Sequence, residues 1–231
     1  MLAMDTSGDV CSVAALRRGE IRSEHLFRHE MHLSETLMTH LDQVLHEAGC
    51  VLADVEAYAV GIGPGSFTGT RIGVMTIKTL AVVQRTPVFA IDSLAAMAAV
   101  YEGAGELIVP MLPCRANTVF AAAYDVADSS PRAIAAPAAI PVQELAGTLA
   151  NDPEPGVLFC GQAIERYCDE LSAVLSGKRR IGFGRVYYPS ASLIGTLAWR
   201  RQLAGDVGDE ALAVVPLYIS PPPITLPKPR R

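Results

Sequence analysis

The stretch Gly61–Gly73 reads GIGPGSFTGTRIG, five glycines and a proline set among Ser66, Thr68 and Arg71. Loops of this composition cradle phosphates, and they also occur where helices pack very closely. Two named phosphate loops are excluded by position. A Walker A loop needs a glycine, four residues and then Gly-Lys-Ser/Thr, but the four residues that follow Gly63 end at Phe67, Thr68 stands where the second glycine belongs, and no lysine follows until Lys78. The dinucleotide pattern G-x-G-x-x-G begins at Gly61 and Gly63 but meets Ser66 where its third glycine belongs. Two readings stay open. A helix starting at Ser66–Thr68 would offer unpaired N–H groups and a positive dipole end to an anion, with Arg71 adding charge. Alternatively, Gly65 permits a sharp turn, and Ser66 or Thr68 caps a helix on which Gly69 and Gly73 share one face, with Ile77 next along it. A glycine inside a helix costs about 1 kcal/mol relative to alanine. Two of them point to close approach by another helix, and this packing reading is the stronger one. On it, bulk at Gly73 should spare the fold and block the contact.

Upstream, MLAMD, CSVAAL and IRSEHLFRH read as three strands joined by the turns TSGD and RRGE. A helix is then expected with Ser34 as N-cap, Leu33 and Met38 as a hydrophobic staple, and Gly49 as its stop. Leu37, Met38, Leu41, Val44, Leu45 and Ala48 keep helical spacing within it. AYAVGIG is a buried strand feeding the glycine loop, and a second helix runs on to Gln84. PVFAID follows as a strand and Ser93–Val100 as a short helix. After EGAGE the pattern starts again. LIVPML and TVFAAAYDV read as strands, a polar, proline-rich stretch follows, and VQELAGTLA reads as a helix. GVLFCG is the next strand, AIERYCDELSAVL and SASLIGTLAWRRQLAG are helices, and PLYIS precedes a proline-rich tail. Two β-rich starts, each followed by alternating helices and strands, predict a duplicated α/β chain with mixed sheets. The expected division is a lobe over residues 1–104 and a smaller one over 105–231, whose last helix and tail pack back on the first.

The 231 residues are 50% apolar and 19% charged, which predicts a substantial core and excludes global disorder. No apolar run reaches the roughly 18 residues of a membrane span, and no cationic leader opens the chain. A soluble, cytoplasmic protein without membrane contact is expected. Five cysteines without a C-x-x-C pair fit a reduced compartment. The net charge of −5 argues against a protein that grips nucleic acid alone. Its noted basic clusters, Lys178-Arg179-Arg180 and Lys228-Pro229-Arg230-Arg231, read as solvated charge and a frayed end.

Chemical motifs are sparse. His25 and His29 have the H-x-x-x-H spacing of a helical metal pair, but on a strand that spacing spans about 13 Å, too far to share an ion. Gly-Ser-Phe-Thr-Gly is not the G-x-S-x-G nucleophile elbow, and no carboxylate pair stands out as general acid and base. The turn Asp5-Thr6-Ser7-Gly8 could touch a phosphate or magnesium, although hairpin turns need the same residues. Asp5, Thr6, Ser7, Gly65, Ser66 and Arg71 are therefore the candidate anion or nucleotide contacts.

Taken in order, AMDTS, HLSETL, VGIGPGSFTGTRIG, IDSLAAMA, RANTVFAAAY, PSASLIGTLA and PLYI resemble the bacterial TsaB (YeaZ) family over nearly the whole chain. GPGSFTGTRIG is the most specific of them. The resemblance implies a two-lobed actin-like ATPase (ASKHA, RNase H-like) fold with duplicated mixed-sheet lobes. It further implies a non-catalytic subunit that supports TsaD, together with TsaE, in forming N6-threonylcarbamoyladenosine at position 37 of tRNAs reading codons that begin with A. No cofactor would be required by this chain, ATP would enter with the assembled complex, and tRNA would be met only through it. The implied partner surface lies on the first two helices, at Ser34, Glu35, Met38, Leu41, Leu45, Thr68, Gly69, Ile72, Gly73 and Ile77. Without TsaD the same surface would form a homodimer. Pro113 and Thr118 replace acidic residues usual in the family, while Arg115 is kept. The competing classes are an actin-like ATP-binding enzyme and a glycoprotease-like metallopeptidase.

Overall fold

The computed structural model describes residues 1–28, 32–127, 130–151, 156–178 and 180–219. The first half comprises β1 (Leu2–Asp5), β2 (Val10–Arg17), β3 (Glu20–Arg28), α1 (Leu33–Glu47), β4 (Tyr58–Gly61), α2 (Phe67–Gln84), β5 (Val88–Ile91) and α3 (Ser93–Ala98). The second comprises β6 (Leu107–Arg115), β7 (Thr118–Asp125), β8 (Arg132–Pro141), α4 (Val142–Ala150), β9 (Gly156–Cys160), α5 (Ile164–Leu175), β10 (Arg180–Phe183) and α6 (Ala191–Leu203).

The strands form two five-stranded mixed sheets, ordered β3-β2-β1-β4-β5 and β10-β9-β6-β7-β8. Each begins as an antiparallel meander and continues through parallel crossovers, as in β1 with β4 and β6 with β9. Because β1 and β4 are central and covered on both faces, Leu2–Asp5 and Tyr58–Gly61 are buried without alternation. Leu2, Met4, Val13, Tyr58 and Val60 on one face meet Leu37, Leu41, Val44 of α1 and Val74, Ile77 of α2. Ala3, Ala14, Ala59, Phe89 and Ile91 on the other face meet Ala191, Ile194 and Ala198 of α6. Thus α6, late in sequence, covers the first sheet. The second sheet carries α4 and α5 on one face, around Val109, Met111, Phe159 and Leu171. Its opposite face packs Ile108, Leu112, Phe120 and Tyr124 against Leu94 and Met97 of α3, which joins the two lobes.

Several sequence expectations need correction. Ser34 lies inside α1 and is exposed; the N-cap is His32, whose side chain makes no capping bond. Leu33 is buried while Met38 is 40% exposed, so the two do not form a staple. The proline-rich stretch after Asp125 contains a strand, β8, and the basic run before the last helix leads into another, β10. Both are edge strands, where prolines are tolerated because one side of the ladder needs no partner. Arg179, His29 and the basic end of the tail lie outside the described residues. No disulfide joins the five cysteines, and no described helix is long and apolar enough to cross a membrane.

Candidate functional site

The glycine-rich stretch is a bed for the β1–β2 turn. Its Gly63–Pro64 peptide is cis, and Gly63 has φ +92°, which favours glycine. Ser66 caps α2 by accepting the Gly69 N–H at 3.2 Å. The Ser66 N–H donates to the Ser7 carbonyl at 2.6 Å, and the Thr6 hydroxyl donates to the Gly69 carbonyl at 2.8 Å. A Cβ added at Gly65 would fall on the Ser7 carbonyl, one at Gly69 on the Thr6 carbonyl, and one at Gly73 on the Thr6 hydroxyl. All three contacts would be far inside van der Waals range. Close packing is therefore the right reading of Gly69 and Gly73, but the neighbour is the chain's own turn. Gly69, Gly73 and Ile77 face the interior of the lobe, which corrects the expectation that they form an outward helix-docking face.

Asp5, at the end of β1, is fully buried. Its Oδ1 accepts the Ser7 N–H at 2.8 Å and the Ser7 hydroxyl at 2.7 Å, while Oδ2 accepts the Ser93 hydroxyl at 2.7 Å. Ser93 Oγ in turn accepts the Gly63 N–H at 3.1 Å. Burial pushes the Asp5 carboxyl above the usual range, opposed by the bonds from Ser7 and Ser93 and aided by nearby Asp92. A side chain at Gly61 would overlap Oδ2. Asp5, Thr6 and Ser7 are thus a hydrogen-bonded internal crosslink between β1, the glycine loop and α3, and all three residues are buried.

The remaining candidates separate by face. Ser34, Glu35, Met38, Thr68 and Arg71 are exposed and Ile72 is half-buried, whereas Leu41 and Leu45 join Ile77 in the core. Outside the expected set, α2 also exposes Met75 (52%), Val82 (47%) and Val83 (77%). Thr68, Ile72, Met75, Thr79 and Val82 recur at helical spacing, a stripe legible in sequence that the paired glycines drew attention away from. Gly65 and Ser66, with Ser7, line one wall of an interlobe cleft of about 400 Å³; Pro113, Cys114, Arg115 and Phe120 line the other. Tyr218 stacks on Phe67 at the start of α2 with ring centroids 4.7 Å apart.

Among the described residues, no group of three or more His, Cys, Asp and Glu side chains could hold a metal ion. His25 Nε2 lies 3.0 Å from the Glu47 carboxylate. His40 stacks on Phe27 with centroids 3.8 Å apart, and its Nδ1 is buried without a hydrogen-bond partner among the described residues. Burial, then the neighbouring His25, push the His40 pKa down.

The paired mixed sheets, with crossover helices and a cleft between the lobes, define an actin-like two-lobed fold. ROK hexokinase from Thermus thermophilus shares it at a TM-score of 0.51 and 13% identity, over 86% of this chain and 97% of that one, a likeness of fold alone. The structure of YeaZ from Pseudomonas aeruginosa matches with a TM-score of 0.78 and 27% identity over 94% of this chain and 98% of that one. A family model described as TsaD, tRNA N6-adenosine threonylcarbamoyltransferase, matches residues 28–193. The tRNA threonylcarbamoyladenosine biosynthesis protein TsaB of Bacillus subtilis is 27% identical over 95% of this chain and 93% of its own length. Its namesake in Haemophilus influenzae is 38% identical over 52% of this chain, an alignment spanning 51% of that relative. The chain belongs to the family that the TsaD model describes, and within it to the TsaB (YeaZ) group.

Proposed function

We propose that this chain acts in tRNA threonylcarbamoyladenosine biosynthesis as a non-catalytic subunit that binds and supports a TsaD-type transferase, together with a TsaE-type protein. The observation carrying this reading is the apolar stripe of α2, in which Met75, Val82 and Val83 are exposed and Ile72 is half-buried; α1 also exposes Met38. Exposed apolar side chains grouped on one face mark interaction surfaces. Beneath it, Leu41, Leu45 and Ile77 anchor the helices, and the Gly69–Gly73 bed on Thr6 fixes the angle of α2. These inward residues act on the partner by positioning the stripe; Ser34, Glu35, Met38, Thr68 and Ile72 would touch it. The full burial of Asp5 and its bonds to Ser7 and Ser93 support assigning the chemistry to the partner, since they hold the carboxylate inside the lobe. The acidic net charge likewise leaves the main grip on tRNA to the complex. In the partner's absence the stripe pairs two copies of this chain.

The test is reconstitution with purified TsaD-type and TsaE-type proteins, ATP, threonylcarbamoyl donor and tRNA. Modification should require this chain, and this chain alone should neither modify tRNA nor turn over ATP. Full-rate modification without it, or turnover by it alone, would overturn the assignment.

A further inference from the structure

At the pole of the first lobe opposite the cleft, where β1 begins and β2 turns into β3, lies a cavity of about 700 Å³. Arg17, Arg18 and Arg22 line it with Trp199 of α6. Two backbone irregularities bring these arginines there. Arg18 sits at φ +53° and Gly19 at φ +81° in the hairpin turn, a geometry that usually takes Asn-Gly and is unfavourable for arginine. The β2–β3 register slips between Ala15 and Leu16, which pair with Ser23 and Ile21 and leave Arg22 as an extra residue on β3. Such bulges re-aim a side chain and recur next to functional sites. Gly19 has no side chain where Trp199 closes in: a Cβ there would lie 2.6 Å from the indole Cδ1. Arg17 and Arg18 make no ion pair among the described residues, and Arg22 has only an exposed contact to Glu20 at 3.5 Å. Two carboxylates also line the cavity, Glu56 and Asp54, whose Oδ2 accepts the Val51 N–H at 2.9 Å, so the three guanidinium groups outnumber them.

We propose that this cavity binds the phosphate of a nucleotide, free or within an RNA chain, through Arg17, Arg18 and Arg22, with the base against Trp199. Guanidinium groups match phosphate oxygens in planar, paired geometry, and an indole beside them offers a surface for any base. The spacing R-R-x-x-x-R conceals the cluster in sequence, because the bulge is what gathers it. The site is independent of the transferase reading, being a property of the isolated chain.

Trp199 is the single tryptophan of the protein, so its emission reports the cavity directly. Titration with pyrophosphate, AMP and a short single-stranded oligoribonucleotide should give a saturable change that weakens with added KCl. Saturation by AMP and pyrophosphate assigns the site to free nucleotides; saturation by the oligonucleotide alone assigns it to RNA. Arg18→Asn suits the turn and keeps the fold, so it should bind the saturating probe several-fold more weakly; if that probe is the oligonucleotide, the salt slope should fall by about 1. Arg22→Gln should weaken binding similarly. No emission change with any probe, or unchanged affinity in Arg18→Asn, would overturn the proposal.

Discussion

Replacing Gly73 by alanine sets a methyl group on the Thr6 hydroxyl and 3.3 Å from Thr6 Cβ. Thr6 is fully buried, β-branched and held by its 2.8 Å bond to the Gly69 carbonyl, so it has no free rotamer to retreat into. Overpacking of this kind costs about 1–3 kcal/mol, and displacing the hydroxyl from its acceptor adds about 1–3 kcal/mol. Removing a helical glycine returns about 1 kcal/mol. The net is a loss of about 1–5 kcal/mol, which at about 2–4 °C per kcal/mol for a chain of this size lowers Tm by roughly 2–20 °C. Gly73→Leu, harmless on an outward face, should prevent folding. Thr6→Ala removes the obstructing hydroxyl, so the double variant should recover part of the loss, with a coupling of about 1 kcal/mol or more. Differential scanning fluorimetry of the four proteins decides it. A Gly73→Ala protein as stable as the parent, or stabilised by its better helix propensity, would refute the cradle.

Three further outcomes follow from buried polar groups. The Asp5 carboxyl has a folded pKa above its unfolded one, so ionising it opposes folding: its contribution falls as pH rises from the ordinary carboxylate value through the raised one. The difference in Tm between Asp5→Asn and the parent should therefore shift in favour of the variant across that window; a difference independent of pH contradicts it. The Tyr124 hydroxyl donates to Asp92 Oδ2 at 2.7 Å across the lobe junction, and Tyr124→Phe should cost about 1–3 kcal/mol by leaving that oxygen unpaired. Equal Tm values for the two proteins would remove the junction role. His40 has a lowered pKa, so its contribution to stability is lost as pH falls through the unfolded histidine value. His40→Phe keeps the stack on Phe27 and should gain most on the parent at acid pH, read as Tm from pH 5 to 8.

The strand–helix order of the first lobe, and of the second apart from its two edge strands, was legible because buried central strands and helices carry local signals. Ser66 as a cap and Gly49, with φ +68°, as the residue just past α1 are cases where chemistry and position coincide. Edge strands β8 and β10 were not legible: one flank of each is unpaired, β8 is mostly exposed, and apolar alternation is lost. At the site, sequence showed that Gly69 and Gly73 admit a close neighbour but not which one, since Thr6 lies 63 residues before Gly69. The D-x-x-G turn was visible, whereas the burial of Asp5 depends on Ser93, 88 residues away. Local pattern specifies a surface; only the fold says what occupies it.

On the proposed function, the α2 stripe rather than the glycine loop meets the partner. Calorimetric titration of this chain and of Met75→Asp with a purified TsaD-type protein tests it directly, because Met75 is 52% exposed and its replacement leaves the core untouched. The parent should bind, and Met75→Asp should lose binding at unchanged Tm. Equal affinity for the two proteins would contradict it.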